Sequence, residues 1–241
     1  MNILRKRIEK EQFEPGLLGI FVNPFYFARK ALLHNMQPLL SQISGVTLDV
    51  GCGKKPYEKF CRSLRYVGLE LDTPENRIKK KANIYYHGGR LPFTDSEFDS
   101  LIINQVFEHI FEPESFLKEL NRVLKSEGML LITVPFIWDE HEQPNDFGRY
   151  TSFGLRTLLE RYGFAILEQR KSGNGIEVIF QLLNCYLYKK LFTKKNLLCF
   201  IVTFVLIIPV NVLGTVLSKM LPRNSDLFLD NVILARKVKN V

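Results

Sequence analysis

Short unbroken apolar runs alternate with helix-like periodicities along most of this chain. The runs fall at Val46–Val50, Tyr66–Leu71, 83–86, Phe98–Ile103, Met129–Val134, 164–171 and Asn231–Lys237. They are continuous rather than alternating apolar and polar, as expected for parallel strands covered on both faces. Between them, Phe116, Leu117, Leu120, Val123 and Leu124 recur at the spacing of one helix face. A helix is predicted around Tyr57–Ser63, and another at 153–162 that Gly163 closes. Gly128 reads as the end of the connection into the fifth strand. Ahead of the first strand, Asn23 and Pro24 open a helical pattern through Phe25, Phe27, Ala28, Ala31, Leu32 and Met36. That helix reads as packing on an edge or at a site mouth, with Arg29 and Lys30 also able to face a membrane. The alternation predicts an α/β chain: a doubly wound, mostly parallel, seven-stranded Rossmann-like sheet preceded by an N-terminal helix.

One stretch breaks the pattern. Residues 173–229 stand where a short connection would suffice. They read as two helices, about 175–192 and 196–220, the first apolar nearly all round, and no charged residue occurs from Asn196 to Ser218. That length just spans a bilayer core of ~30 Å. A single span would strand the last strand on the wrong side. Two spans would place Lys189, Lys190, Lys194 and Lys195 outside, against the positive-inside tendency. Pro209 and Asn211 are expected to interrupt the second helix. The favoured reading is an apolar helical hairpin in the inner leaflet, its lysines on anionic headgroups. An oligomer interface and true spans are the alternatives. The domain plan is therefore 1–45 helical lead-in, 46–172 main domain, 173–229 apolar insertion and 230–241 last strand and tail.

Composition adds a compartment and a class of partner. With 241 residues, 46% of them apolar and 24% charged, the chain suits one sizeable domain with additions. A net charge of +8 calls for an acidic partner: nucleic acid, an anionic membrane surface or an anionic substrate. Cys52, Cys61, Cys185 and Cys199 form no paired motif and no metal-ligand spacing with the four histidines, so reduced thiols and no metal are expected. Arg5, Lys6, Arg7 and Lys10 have no apolar run behind them, which argues against a secretory signal and for a cytoplasmic chain.

The candidate chemistry starts at Val46-Thr47-Leu48-Asp49-Val50-Gly51-Cys52-Gly53. A glycine turn at the carboxyl end of a strand offers bare backbone N–H groups where open α/β sheets bind ligands. Asp49, just inside the turn, favours a ligand with a cationic or hydroxyl-rich part over a phosphate. Further along come Glu70 at the end of the second strand, Leu91-Pro92-Phe93-Thr94-Asp95, Phe98-Asp99, Phe107-Glu108-His109-Ile110 and Arg122-Val123-Leu124-Lys125, with Gly128 shortly after.

In that order and spacing, these motifs resemble the class I S-adenosylmethionine-dependent methyltransferases, specifically the type-11 group, over roughly 46–172. The resemblance implies S-adenosylmethionine as cofactor. Gly51 and Gly53 would approach its methionyl part, and Asp49 would order the loop or receive the ammonium group. Glu70 would grip the ribose hydroxyls, and Asn104 and Gln105 would neighbour the methionine moiety. The chain departs from the pattern twice. Lys54 and Lys55 follow Gly53 in place of a third glycine, which also leaves no dinucleotide fingerprint. His87 and Gly88 stand where an adenine-side acid is common, so adenine contacts fall to backbone around Arg90 and Leu91.

The acceptor side is read in 138–150, where Trp138, His141, Asp146, Arg149 and Tyr150 crowd after a strand end. Trp138, Arg149 and Tyr150 are the substrate-binding candidates. His141 is the first choice for a base, with Asp146 and His109 in reserve; Glu108 and His109 are also read as opening a helix in a structural role. The structural alternative has His141 pinning the loop and Arg149 pairing Asp146. The expected activity is methyl transfer to a membrane-proximal acceptor, such as a lipid, an isoprenoid or a lipid-linked sugar, by a protein peripheral on the inner face of a membrane. The alternatives are a soluble small-molecule acceptor and a non-catalytic cofactor-binding or membrane-tethered module. Nucleic acid is disfavoured because the lysines are scattered and no base-flipping motif follows the fourth strand. An oligomer remains open.

Overall fold

The computed structural model describes residues 8–192 and 196–241; Arg5, Lys6, Arg7, Lys194 and Lys195 lie outside the described residues. The strands are β1 (Ser44–Val50), β2 (Arg62–Leu71), β3 (Ile84–Tyr86), β4 (Phe98–Asn104), β5 (Leu124–Pro135), β6 (Phe164–Asn174) and β7 (Phe228–Lys237). They form one sheet in the order β3-β2-β1-β4-β5-β7-β6. The pairs β2–β3, β1–β2, β1–β4 and β4–β5 are parallel. β7 is antiparallel to β6, because Gly175 N–H donates to Leu227 O at one end and Val238 N–H donates to Gly163 O at the other. The sheet is thus mixed at one edge and parallel through the middle, as the apolar runs predict.

Strand order reverses between β1 and β4. In an open α/β sheet the crevice at that reversal, outside the carboxyl ends of the strands, is where ligands bind. Gly51–Gly53 leave β1 there, and Gln105 leaves β4 there.

By packing, the chain divides into two units. One holds Met36–Phe136, Glu140–Arg170 and Asn231–Val241. Its core is built from Leu48, Leu69, Leu101, Leu130 and Ile132 of the sheet under the helix Pro113–Val123 (α4) and the helix Ser152–Arg161 (α5). Pro113 opens α4, and its buried Phe116, Leu117, Leu120 and Val123 form the expected apolar face. Thr151 caps α5 by accepting from Gly154 N–H at 3.1 Å.

Three expectations in this unit are corrected. Tyr57–Ser63 is not an α-helix: a single 3₁₀ turn, Glu58–Phe60, leads into β2, which already starts at Arg62. Gly128 does not end a connection. β5 begins at Leu124, and its pairing slips between Phe98↔Leu124 and Ser100↔Met129, so Lys125–Gly128 form a bulge inside the strand. Glu108 and His109 do not open α4 but lie in a separate 3₁₀ turn, Phe107–His109.

The other unit comprises the residues up to Asn35, Ile137–Asp139 and Lys171–Asp230. It contains α1 (Gly19–Val22) and the start of α2 (Tyr26–Leu40), which Asn23 caps by accepting from Phe25 N–H at 2.8 Å. Further along are α6 (Ile176–Leu191), α7 (Asn196–Val202) and α8 (Ile208–Met220). Pro209 and Asn211 do not interrupt the second helix: a π-helical turn, Thr203–Ile207, absorbs the missing proline donor, and helix continues from Asn196 to Met220. Asn211 instead donates to Ile20 O and Asn23 O and accepts from Asn184. Gln181 donates to Pro24 O and accepts from Ala28 N–H. Three buried amides therefore fix α6 and α8 to the N-terminal segment, where apolar packing alone would allow several registers.

Candidate functional site

The β1 loop is held by the end of β2. Gly51 N–H donates to Leu69 O at 2.9 Å, and Gly53 N–H donates to Glu70 Oε1 at 2.6 Å. Glu70 is 7% exposed, so this charge-assisted bond is shielded and ties the loop to the strand. Gly51 sits at φ 69°, and a Cβ there would come within 2.3 Å of Val106. Gly53 sits at φ 54°, and a Cβ there would meet nothing within 4 Å. One glycine is required by packing; the other faces open space.

Asp49 lies beneath the loop, 5% exposed, and accepts from Tyr66 Oη at 2.6 Å. Burial pushes its carboxyl up to about 7 despite that bond. The same burial, with Asp49 and Glu70 nearby, pushes the Cys52 thiol up to about 12. Asn83 ties the far side of the loop by accepting from Gly68 N–H at 2.8 Å and from Lys55 Nζ. Tyr66 and Asn83 carry no motif signal.

Arg122 builds the second edge. Its guanidinium donates to Phe93 O at 2.8 Å and Leu91 O at 3.0 Å while pairing with Glu119 and Asp95. Glu119 in turn accepts from Leu91 N–H at 2.8 Å. The Leu91–Phe93 turn is therefore clamped at three backbone positions by one ion-paired couple. A shallow cleft of about 530 Å³ runs along Ile84, Arg90, Leu91, Pro92 and Phe93. Gly51, Gly53 and Glu70 do not line it, although Glu70 and Tyr85 are register partners one step from Ile84. His87 is exposed, with Nε2 4.0 Å from Asp72.

At the tip of β4, Thr133 Oγ1 donates to Asn104 Oδ1 at 2.8 Å and accepts from Gln105 N–H at 3.2 Å. Gln105 takes φ 55°, uncommon for a side-chain-bearing residue and the kind of local strain that collects at functional sites. Thr133 is a participant that reasoning along the sequence missed.

The acceptor-side candidates separate. Trp138 belongs to the helical unit, 6.2 Å from the Phe25 ring. Asp139 there pairs with Lys189 at 2.6 Å. His141, Asp146, Arg149 and Tyr150 belong to the sheet unit together with Glu108 and His109. Arg149 grips Asp146 with both nitrogens at 2.6 Å. Burial alone would raise the Asp146 carboxyl, but Arg149 and the His141 backbone N–H hold it down at about 2. His141 Nδ1 lies 3.2 Å from Asp146 Oδ2. Tyr150 packs on Phe107, ring centroids 5.2 Å apart, with burial raising its hydroxyl.

Comparison with known proteins identifies the architecture. Residues 48–132 match the family model described as a methyltransferase domain. An uncharacterized protein of Methanocaldococcus jannaschii, MJ1123, is 32% identical over 136 residues, covering 50% of this chain and 63% of that protein. A probable S-adenosylmethionine-dependent methyltransferase of Mycolicibacterium smegmatis is 26% identical over 130 residues, covering 51% of this chain and 50% of that protein. The chain thus spans less than two thirds of the length of these relatives. The crystal structure of a SAM-dependent methyltransferase from Archaeoglobus fulgidus superposes with a TM-score of 0.56 at 18% identity, covering 96% of this chain and 99% of that one. That likeness is one of fold.

Proposed function

We propose that this chain, which belongs through residues 48–132 to the class I S-adenosylmethionine-dependent methyltransferases, is an active enzyme whose acceptor is a membrane-proximal lipid, isoprenoid or lipid-linked sugar. The observation that carries the catalytic half is Glu70, a buried carboxylate at the end of β2, bonded through one oxygen to Gly53 N–H of the loop that leaves β1. A carboxylate accepts two vicinal hydroxyls as no neutral side chain does, so Glu70 suits the ribose. The open side of Gly53 suits the methionyl chain, Asp49 the ammonium group, Asn104 and Gln105 the neighbouring backbone, and the Arg122-clamped Leu91 turn the adenine. Bound there, S-adenosylmethionine would supply a methyl carbon on a sulfonium, which an acceptor lone pair would take in line with S-adenosylhomocysteine as the leaving thioether.

The chain's own contribution is then mostly positioning. A hydroxyl acceptor also needs a base. His141 is the candidate, oriented by Asp146, which is itself a poor proton acceptor because Arg149 keeps it ionised. His109 is the reserve, and Arg149 and Tyr150, of the same unit, are the substrate-side residues. Arg149 acts through its grip on Asp146.

The membrane half rests on the helix Leu198–Met220. It has mean hydropathy 2.5 over its apolar window, of which 22% is buried. Phe200, Phe204 and Val205 on it are exposed, as are Leu17 and Phe21 of the same unit. Surface of that kind suits the acyl boundary of an inner leaflet, with Lys190 on anionic headgroups. That surface supports the reading of a protein working at the cytoplasmic face of a membrane.

The test is incubation of the protein with labelled S-adenosylmethionine and membrane extract. Label is expected in a lipid fraction; label only in water-soluble products refutes the acceptor. Calorimetry separates the other failure: no binding heat for S-adenosylmethionine, unaltered in Glu70→Ala, would leave a non-catalytic module.

A further inference from the structure

We propose that Glu108, His109 and His141 form a binding site for a divalent first-row transition ion, of the zinc class. One atom of each lies within 4.8 Å of the others. The Glu108 carboxylate is 0% exposed, and its Oε1 lies 3.8 Å from His109 Nε2 and 3.9 Å from His141 Nε2. Both separations are too long for hydrogen bonds. They suit donors that share an ion: ligands at about 2.0–2.1 Å in tetrahedral array stand about 3.3 Å apart, so a contraction of about half an ångström brings each imidazole nitrogen to ligand spacing from the carboxylate oxygen. The imidazoles face each other with centroids 4.9 Å apart.

The outer nitrogens of both rings decide the matter. His109 Nδ1 is 2.6 Å from Asn145 O, and a carbonyl oxygen only accepts, so Nδ1 carries the hydrogen and Nε2 the lone pair. His141 Nδ1 faces the Asp146 carboxylate at 3.2 Å, with the Arg149 Nη2 donor farther off at 3.5 Å, which favours the same tautomer. A carbonyl or carboxylate behind the far nitrogen is the usual support of a metal-ligating histidine. Here both histidines have one, and both Nε2 atoms stand within 4 Å of the same carboxylate oxygen. Glu142 Oε2, 3.9 Å from His109 Nε2 and mostly exposed, is placed to complete the shell. Side-chain exposures of 17% for His109 and 29% for His141 leave a way in. The N₂O donor set favours zinc, cobalt, nickel or iron over magnesium and calcium, which prefer oxygen throughout.

This reverses the expectation of no metal, which came from looking for ligands close together in the sequence. The site stands on its geometry and does not need the methyl-transfer reading. One consequence does rest on that reading: an ion here would occupy His141 Nε2 and stabilise a developing acceptor oxyanion in place of a base.

The experiment uses the full chain after chelator dialysis. Co²⁺ titration followed by visible absorption, with Zn²⁺ displacement, should report one ion per chain, unaffected by millimolar Mg²⁺. Glu108→Gln and His109→Ala should weaken Zn²⁺ binding about tenfold or more, while His87→Ala, altering an exposed histidine elsewhere, should not. If those variants fail to fold, long-range ¹H–¹⁵N spectra of the unaltered protein decide, because Zn²⁺ must shift the Nε2 resonances of His109 and His141. No bound Zn²⁺ or Co²⁺, binding that survives both substitutions, or shifts confined to other histidines would overturn the site. None of these readouts depends on methyl transfer.

Discussion

Replacing Asp49 by asparagine should stabilise the protein above neutral pH and weaken its hold on S-adenosylmethionine. The carboxyl is pushed up to about 7 from an ordinary 3.8, chiefly by burial. Between those values the folded chain keeps a proton that the unfolded chain has lost. The unfolding free energy therefore falls as pH rises through that window and is level below it. At about 1.36 kcal/mol per pH unit, the accumulated cost near pH 8 is on the order of 4 kcal/mol. Asparagine keeps an oxygen for the Tyr66 hydroxyl and has no charge to desolvate, so most of that cost should vanish. For a chain of this size, a gain of about 2–4 kcal/mol raises the melting temperature by roughly 5–15 °C.

Thermal melts of both proteins at pH 5, 6, 7 and 8 give the answer. The curves should draw together toward pH 5, where about 1.6 kcal/mol of the cost remains, and separate with rising pH. A constant offset at every pH would mean that Asp49 is ionised throughout, and the reasoning would be wrong. The ligand arm is independent. If the ammonium group pairs with Asp49, the substitution should raise the dissociation constant about 10- to 100-fold, the worth of a hydrogen bond to a charged group. Calorimetry at pH 6.5 in two buffers of different protonation enthalpy should then show proton release on binding. Unchanged affinity would leave Asp49 with the Tyr66 contact and the ordering of the loop as its only role.

The two loop glycines should respond differently. Gly51→Ala places a methyl group against Val106 at positive φ and should cost stability, roughly 2 kcal/mol or more by chemical denaturation. Gly53→Ala meets no protein atom and should cost only about 1–2 kcal/mol, yet weaken S-adenosylmethionine binding at least tenfold if the space beside it is ligand space; equal affinity would refute that. Arg122→Ala removes the clamp on Leu91 and Phe93 and should destabilise by roughly 2–4 kcal/mol, with faster amide exchange confined first to residues 90–95. Cys52 and Cys61, each pushed up to about 12 chiefly by burial, should be alkylated by iodoacetamide at pH 8 far more slowly than an unburied cysteine, since only about 10⁻⁴ of each thiol is ionised. Alkylation at the rate of a model thiol would contradict both placements.

The strands and the glycine loop after β1 were legible because their physics is local. A strand covered on both faces must be apolar at consecutive positions, so β1 and β4 announce themselves. A turn that needs positive φ shows glycine, as at Gly51 and Gly53. A carboxylate at a strand end, like Glu70, is conspicuous against an apolar run. Residues whose role depends on a partner far along the chain were silent. Thr133 is one more β-branched residue of β5 until Asn104 and Gln105 arrive beside it. Arg122 was visible as part of a motif, but its grip on the Leu91 turn was not. Lys125–Gly128 were misplaced because a bulge inside a strand and a turn before one use the same residue types.

Residues 138–150 show the same limit of reading along the sequence. Trp138 and His141 are near neighbours in sequence, yet they belong to different packed units. Glu108 and His109 leave β4, far from the loop in sequence, yet they meet His141 across a hydrogen bond to Asn145 O and a carboxylate pair with Asp146. The backbone also joins these segments, because Phe147 N–H and Gly148 N–H both donate to Glu108 O. The turn after β4 therefore sets the position of the loop that carries His141, and the loop in return supplies the oxygens that stand against Nδ1 of both histidines. Disrupting either segment should disturb the other, so Asp146→Asn should alter the His109 environment although Asp146 lies behind His141. Histidine ring spectra should show both residues moving together; a change at His141 alone would mean that the two imidazoles do not act as one group.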